Sequence, residues 1–312
     1  MVERTPSHLR TIEGNRGQYQ NMPELPEVEF VARQLRETLP GRRITAVETR
    51  WERSIQGMEP AEFAAEISGR VVTQVGRRAK YLLLTLDDGR LLIIHRRMSG
   101  NLLLWGPDDP EPLYTRVVFT LDDGYRLAYT DPRKFGRVAL AAPDALPAAF
   151  ATLGPEPLED AFTPTALAAR LASHAGAIKA VLLDQRAVAG LGNIYADEAL
   201  FRAGIHPRRS ADSLTAEEII RLHAGIQGAL TTGIAHGGTT FGRHRDIYNE
   251  AGVNLEHVEV YRRTGQPCLR CGAPIERIVV AQRSTHFCPH CQPSRPASPN
   301  AVGQARRSKR VK

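Results

Sequence analysis

The chain has 312 residues, 24% of them charged, a net charge of +7 and only four cysteines. That length accommodates two domains with separate cores. No apolar run approaches the roughly 18 residues a membrane span needs, and the polar opening residues lack the apolar stretch of a secretory signal. Arg295, Arg306, Arg307, Lys309, Arg310 and Lys312 occur at the end without an acid among them, so the body of the chain is close to neutral. Net charge therefore does not argue for nucleic acid, and local clusters must.

Residues 1–21 show neither helical nor strand periodicity, and 1–22 read as an extension ahead of the folded body. Pro26 suits a first helical turn, Val28, Val31 and Leu35 follow at helical spacing, and Pro40-Gly41 stops that helix. The texture from 42 to 141 is that of strands. Tyr81–Leu84 and Leu91–Ile94 flank Asp88-Gly89, and Val117–Leu121 and Tyr125–Tyr129 flank Asp123-Gly124, which predicts two hairpins. Residues 23–141 thus form a β-rich domain with one leading helix. Pro143, Pro147, Pro155 and Pro157 mark a linker over 142–157.

Helical patterns fill 158–245. Thr163-Pro164 predicts an N-cap with proline at the first helical position, and Thr215 with Glu218 predicts a capping box. Residues 176–210 read as helix, glycine-rich turn (Gly190-Leu191-Gly192-Asn193), helix, and a break at His206-Pro207. A cysteine-bearing unit spans 255–292, and the Pro-, Ser- and Arg-rich tail 293–312 has the composition of a disordered segment. The fold class is α+β, multidomain.

Cys268-x₂-Cys271 and Cys288-x₂-Cys291 are two knuckles joined by a short hairpin, able to present four thiolates tetrahedrally to one Zn²⁺. A closed four-thiolate site leaves no open position, so this zinc is structural. Paired cysteines of this kind suit a metal in a reducing, cytosolic setting better than disulfides. Arg262, Arg263, Arg270, Arg277 and Arg283 surround the knuckles, as a clamp on a DNA backbone would require.

Met22-Pro23-Glu24-Leu25-Pro26-Glu27-Val28-Glu29 resembles the opening of the formamidopyrimidine-DNA glycosylase family, whose members lose the methionine. The resemblance runs over about 22–292. It includes Arg77–Leu82, His95–Gly100, Asp131–Gly136, Leu153–Leu158, Gly190–Ala196, Gly237–Thr240 and Gln282–Thr285.

It implies an N-terminal β-sandwich, a helix–two-turns–helix domain and a zinc hairpin. It also implies a monomeric bacterial enzyme of base-excision repair, cytoplasmic and nucleoid-associated. Such an enzyme acts on double-stranded DNA containing 8-oxoguanine or formamidopyrimidines, as glycosylase and then as abasic-site lyase by β,δ-elimination. Pro23 would be the nucleophile: an α-amine has a pKa of roughly 8, so a neutral fraction exists at pH 7. Glu24 would exchange protons with the opening sugar, Lys80 would assist β-elimination, and Arg283 would serve δ-elimination. Met98, Arg133 and Phe135 match the residues that fill the void left by a flipped base, with Arg133 facing the orphaned partner. His95, Lys179 and Asn193 match phosphate-contacting positions, and Gly237–Thr240 matches a loop closing over the extruded base.

Three departures stand out. Pro23 is preceded by 22 residues, so as written its nitrogen is an imide and cannot attack; Met22 is placed to be the start. Tyr114 falls at a DNA-contact position where some relatives carry His, and Ala175 where some carry Lys. Two alternatives remain: an enzyme like endonuclease VIII acting on oxidised pyrimidines, or a non-catalytic damage-binding protein should residues 1–22 be retained.

Overall fold

The computed structural model describes residues 22–142, 148–240 and 244–294; the extension before Met22 and all six cations of the tail lie outside the described residues. Helix α1 (Leu25–Thr38) starts where expected, because the Glu24 backbone N–H donates to Glu27 Oε2 at 2.8 Å and closes the first turn. It ends where the Leu39 N–H reaches the Leu35 carbonyl and Gly41 takes φ 87°.

The strands that follow are β1 (Ile44–Thr49) and β2 (Ile55–Gln56), then helix α2 (Pro60–Ile67), then β3 (Val72–Arg78) and β4 (Tyr81–Leu86). Next come β5 (Leu91–His95), β6 (Asn101–Trp105), β7 (Thr115–Leu121), β8 (Arg126–Thr130) and β9 (Arg137–Ala141). They form a four-stranded sheet in the order β1-β7-β8-β6 and a five-stranded sheet in the order β2-β9-β5-β4-β3, antiparallel except for β2 against β9. Both aspartate-glycine turns close hairpins, with Gly89 at φ 83° and Gly124 at φ 84°. Phe119, Leu127 and Tyr129 from one sheet meet Leu82, Leu84, Ile94 and Val138 from the other, together with Val28, Val31 and Leu35 of α1. Each such aliphatic or aromatic side chain contributes about 1.5–3 kcal/mol by leaving water.

Helix α2 corrects the expectation of a single helix in this half. Its signal was local and short: Pro60 at the first position, with Phe63 and Ile67 one turn apart and both fully buried against β1.

The second half is helical: α3 (Ala148–Ala151), α4 (Pro164–Leu171), α5 (Ile178–Leu183), α6 (Asn193–Ala203) and α7 (Ala216–Ala235). Thr163 caps α4 through Ala166 N–H at 3.1 Å, and Thr215 and Glu218 exchange the expected capping bonds at the start of α7. Helix α6 stops earlier than the His206-Pro207 break, because Gly204 adopts the left-handed conformation (φ 69°) just past Ala203. Strands β10 (Glu276–Val280) and β11 (Arg283–Phe287) make the cysteine hairpin.

Helix α1 joins the halves. Leu25 belongs to the helical core with Leu191, Ile194 and Tyr195, whereas Val28 onward belongs to the sandwich core. The fold is therefore the α+β, three-part architecture expected: sandwich, helical domain and cysteine hairpin.

Candidate active site at the junction of two cores

Pro23 is buried immediately before Glu24, at the N-terminal end of α1. The Glu24 carboxylate reaches into the helical half and accepts the N–H groups of Ile194 (2.9 Å) and Tyr195 (3.3 Å), the donors in the first turn of α6. Gly192, the N-cap residue of α6, offers no capping side chain of its own. A Cβ there would stand 2.3 Å from Glu24 Cδ, so the space a cap would fill belongs to Glu24. Gly190, at φ 82°, leaves room for Leu25 in the same way, and its carbonyl accepts the Leu25 N–H at 3.0 Å. The resemblance implies a phosphate contact at Asn193, the last residue of the glycine-rich turn. The two N–H groups that follow the turn, those of Ile194 and Tyr195, are spent on Glu24, and the missing side chains of Gly190 and Gly192 leave the space that Leu25 and Glu24 fill.

Burial pushes the Glu24 carboxyl up to about 7, with Lys80 opposing and Glu27 reinforcing the shift. Lys80 follows Ala79 (φ 50°) in the two-residue turn between β3 and β4, rather than sitting on a strand edge. It is 7% exposed, and burial lowers its pKa while Glu24 and Glu27 raise it and Arg283 lowers it further. Glu24, Lys80 and Arg283 thus share one electrostatic neighbourhood. Arg283 is exposed at the start of β11, after Ala281 (φ 47°) and Gln282 (φ 59°), the conformation of a tight type I′ hairpin turn.

The Lys80 turn is held from the other half of the chain. Glu156 accepts the Ala79 N–H at 2.6 Å and pairs with Arg77 and Arg78, each at 2.7 Å, while Arg77 also pairs with Glu29 of α1 at 2.9 Å. The Arg77–Leu82 and Leu153–Leu158 segments, singled out separately in the sequence, are one clamp. A second network ties α1 to the glycine loop: Glu27 Oε1 accepts from Tyr195 OH and from the Thr239 N–H, both at 2.7 Å, and Asn254 donates to Thr239 Oγ1 at 2.7 Å. Residues 241–243 of that loop lie outside the described residues. Sequence reasoning missed Glu27, Glu156 and Tyr195 as site residues. Their charge and type were visible, but not their partners.

The expected void-filling set is spread over two neighbouring loops. Met98 is half-buried, Phe135 is 46% exposed, and the Arg133 guanidinium lies 4.8 Å from the Phe135 ring centre. Tyr114 is exposed at φ 63°, and its carbonyl accepts the Asp131 N–H at 3.0 Å, which places it beside the same loop. Asn193 is half-buried in the first turn of α6, next to the Glu24 donors.

Two expected phosphate contacts look different. His95 is buried at the end of β5 with its ring edge-on to Tyr81, and its Nδ1 accepts the Arg97 N–H at 3.0 Å. Burial, with Arg97 and Lys80, takes its pKa down to about 3, so it is a neutral donor through Nε2. Lys179 is corrected outright. It is 0% exposed and its ammonium is fully committed: to Asp197 at 2.6 Å, the Ser284 carbonyl at 2.9 Å and Thr285 Oγ1 at 2.8 Å. It fastens the cysteine hairpin next to Arg283 and has no donor left for DNA.

The four cysteine sulfurs lie within 4.8 Å of one another, with Cys271–Cys288 at 3.5 Å and Cys268–Cys291 at 3.9 Å. A tetrahedron with Zn–S bonds of about 2.3 Å has edges of about 3.8 Å, so the cage fits zinc. It has no ligand missing, and its role is structural: Cys268 and Cys288 pack with Phe201, Val260 and Ile275 in a small core of their own.

Three family descriptions cover most of the chain: the formamidopyrimidine-DNA glycosylase N-terminal domain at 22–138, the H2TH domain of the same enzymes at 153–244, and a zinc finger found in FPG and IleRS at 265–293. The chain belongs to the formamidopyrimidine-DNA glycosylase family. A relative of that name from Herpetosiphon aurantiacus is 52% identical over 272 residues, which is 87% of this chain and 100% of the relative. A Lactococcus lactis Fpg in complex with DNA containing an abasic site superimposes with a TM-score of 0.81 at 36% identity, covering 86% of this chain and 99% of that one. A mutant of the L. lactis protein, bound to DNA containing Fapy-dG, gives 0.80 at 36% identity over 87% and 100% of the two chains. The family match starts at Met22, and among the described residues no helix is long and apolar enough to cross a membrane.

Proposed function

We propose that this family member excises oxidised purines from duplex DNA with the Pro23 amine as nucleophile, and then cleaves the abasic site it has made. The observation that carries the assignment is Glu24: a buried carboxyl held at about 7, fixed by two backbone N–H groups and adjacent to Pro23. A carboxyl near the working pH can both give and take a proton. Attack of the Pro23 nitrogen on the sugar C1′ forms an N–C bond, and the damaged base leaves with the bonding pair. Glu24 protonates the ring oxygen as the sugar opens to a cationic imine. That imine withdraws electrons and acidifies the adjacent carbon, so the 3′ phosphate departs by β-elimination, with Lys80 at hand. Arg283, exposed on its hairpin turn, serves the second elimination at the 5′ phosphate. Met98, Arg133 and Phe135 take the place of the extruded base, and Tyr114, Asn193 and the His95 Nε2–H contact the strand. The activity belongs to the cytoplasm, at the nucleoid, a reading that the bacterial relatives support, and a monomer is sufficient for it.

A nitrogen acylated by Met22 is an imide and not a nucleophile. The active form is therefore the one in which the Met22–Pro23 bond is absent. The test is intact-mass spectrometry beside borohydride trapping on lesion DNA. The protein begun at Met22 is expected to lose that methionine and trap, and the 312-residue chain to bind without trapping. Full trapping by protein whose mass still includes residues 1–22 would overturn Pro23 and make Lys80 the candidate amine.

A further inference from the structure

The loops bearing Met98 and Arg133 each hold a non-glycine residue in left-handed backbone: Arg97 at φ 51° and Lys134 at φ 62°. Such a conformation costs about 1–2 kcal/mol per residue, so the surroundings must over-determine it. Arg97 is held in part by the bond of its N–H to His95 Nδ1, and one carboxylate is shared by both loops. Asp131 is 0% exposed and its carboxylate accepts five hydrogen bonds, all from hydroxyls and backbone N–H groups. Its Oδ2 takes the N–H groups of Phe135 (2.7 Å) and Gly136 (2.8 Å) and the Tyr129 hydroxyl (3.3 Å). Oδ1 takes the Arg133 N–H at 3.1 Å and, in a short contact, the hydroxyl of Ser99, the neighbour of Met98.

One oxygen atom therefore bridges the two loops. The packing agrees: a Cβ on Gly100 would stand 2.7 Å from the Tyr129 hydroxyl and one on Gly136 1.4 Å from it, so both loops close on the same ring. The far side of the Met98 turn is fixed as well. The buried Arg96 guanidinium donates to the Gly100 carbonyl (2.9 Å) and to the Glu27 carbonyl of α1 (3.1 Å).

We propose that Asp131 is a positioning residue that sets the Met98 and Arg133 loops relative to one another, so that they enter the duplex as one rigid body and discriminate the base opposite the lesion. The proposal rests on the assignment of Met98, Arg133 and Phe135 as void-filling residues. Asp131 itself touches neither DNA nor the reacting atoms. An ionised carboxylate is the one side chain of this size that only accepts. In Asp131→Asn the amide turns an N–H toward N–H or O–H donors whichever way it sits.

The experiment compares the zinc-loaded wild type with Asp131→Asn, Ser99→Ala and Arg133→Ala. It measures single-turnover excision of 8-oxoguanine opposite dC and opposite dA, cleavage of a pre-formed abasic site, and the thermal midpoint. Asp131→Asn is expected to slow excision opposite dC about ten-fold, the scale of one charge-assisted hydrogen bond. It should also bring the dC-to-dA ratio down to that of Arg133→Ala, with abasic-site cleavage changed less than about three-fold. Ser99→Ala should shift the ratio in the same direction by a smaller factor, and decides the matter should Asp131→Asn not fold. Excision and abasic cleavage falling together at an unchanged ratio would mean that Asp131 only stabilises the fold, and the proposal fails. If Arg133→Ala itself leaves the ratio untouched, the void-filling assignment falls and takes this proposal with it. A ratio lost in Arg133→Ala but kept in both other variants overturns the role of Asp131 alone.

Discussion

One buried carboxyl caps the start of helix α6 and another lies on it; both are held by backbone N–H groups, and they differ in company. Glu24 accepts two backbone N–H groups at its start; Glu198, on its second turn, accepts three, from Glu259 (2.7 Å), Val260 (3.0 Å) and Tyr261 (2.9 Å). Both are nearly unexposed, and burial raises both to about 7. Glu24 faces Lys80 and sits beside Pro23, whereas the charge that shifts Glu198 is that of another carboxylate, Glu259. A perturbed acid is therefore no mark of catalysis by itself. What separates the two is whether the proposed nucleophile, Pro23, and a cation, Lys80, stand beside the acid.

The largest effect that tests this contrast is on excision. Glu24→Gln should lose base removal by about 100-fold or more, in the range of a general acid–base group, yet still cleave a pre-formed abasic site; Glu198→Gln should stay within about three-fold of wild type. Equal losses in the two would erase the distinction.

Titration sharpens it. Each carboxyl binds its proton more tightly in the folded protein than the ordinary 4.5. The folded state thus holds more protons than the unfolded one between about 4.5 and about 7, and stability falls as pH rises through that window. Replacing either residue by Gln should flatten the dependence of stability on pH there. Only the Glu24 change should also remove a limb near pH 7 from the excision rate, read by pairing denaturation curves with single-turnover rates.

A smaller effect concerns the residue of α6 just before Glu198. Asp197 holds Lys179 and accepts the His286 N–H at 2.9 Å. Lys179→Met strands that carboxylate, at about 3–5 kcal/mol of stability. The product of second elimination should fall relative to the first as Arg283 loses its footing. Because the ammonium is buried, the slope of DNA affinity against salt should not move; a phosphate contact would reduce it by about 1.

What was legible in the sequence was what is local. The capping signals at Thr163 and Thr215, the glycine turns at Gly89 and Gly124, and the paired cysteines each declare themselves within a few residues, because their physics closes within a turn. The family motifs marked the right segments but not how they meet. Nothing near Lys179 foretells that its partners lie at 197, 284 and 285, and nothing near Gly192 says that its missing side chain is supplied by Glu24, some 170 residues earlier. Lysine types suited to phosphate and lysine types suited to burial with an aspartate are the same letter. Only the tertiary partner decides between them.

Helix α1 plants Leu25 in one hydrophobic core and Val28, a single turn later, in the other. A chain with only its sandwich folded has the proline in place but no α6 to receive Glu24. A chain with only its helices folded has the receptor but no Lys80 turn. The α6 donors that hold Glu24 and the Glu156 clamp that holds the Lys80 turn thus come together around Pro23 only where both cores have formed, so the acid and the cation of this site depend on both halves at once.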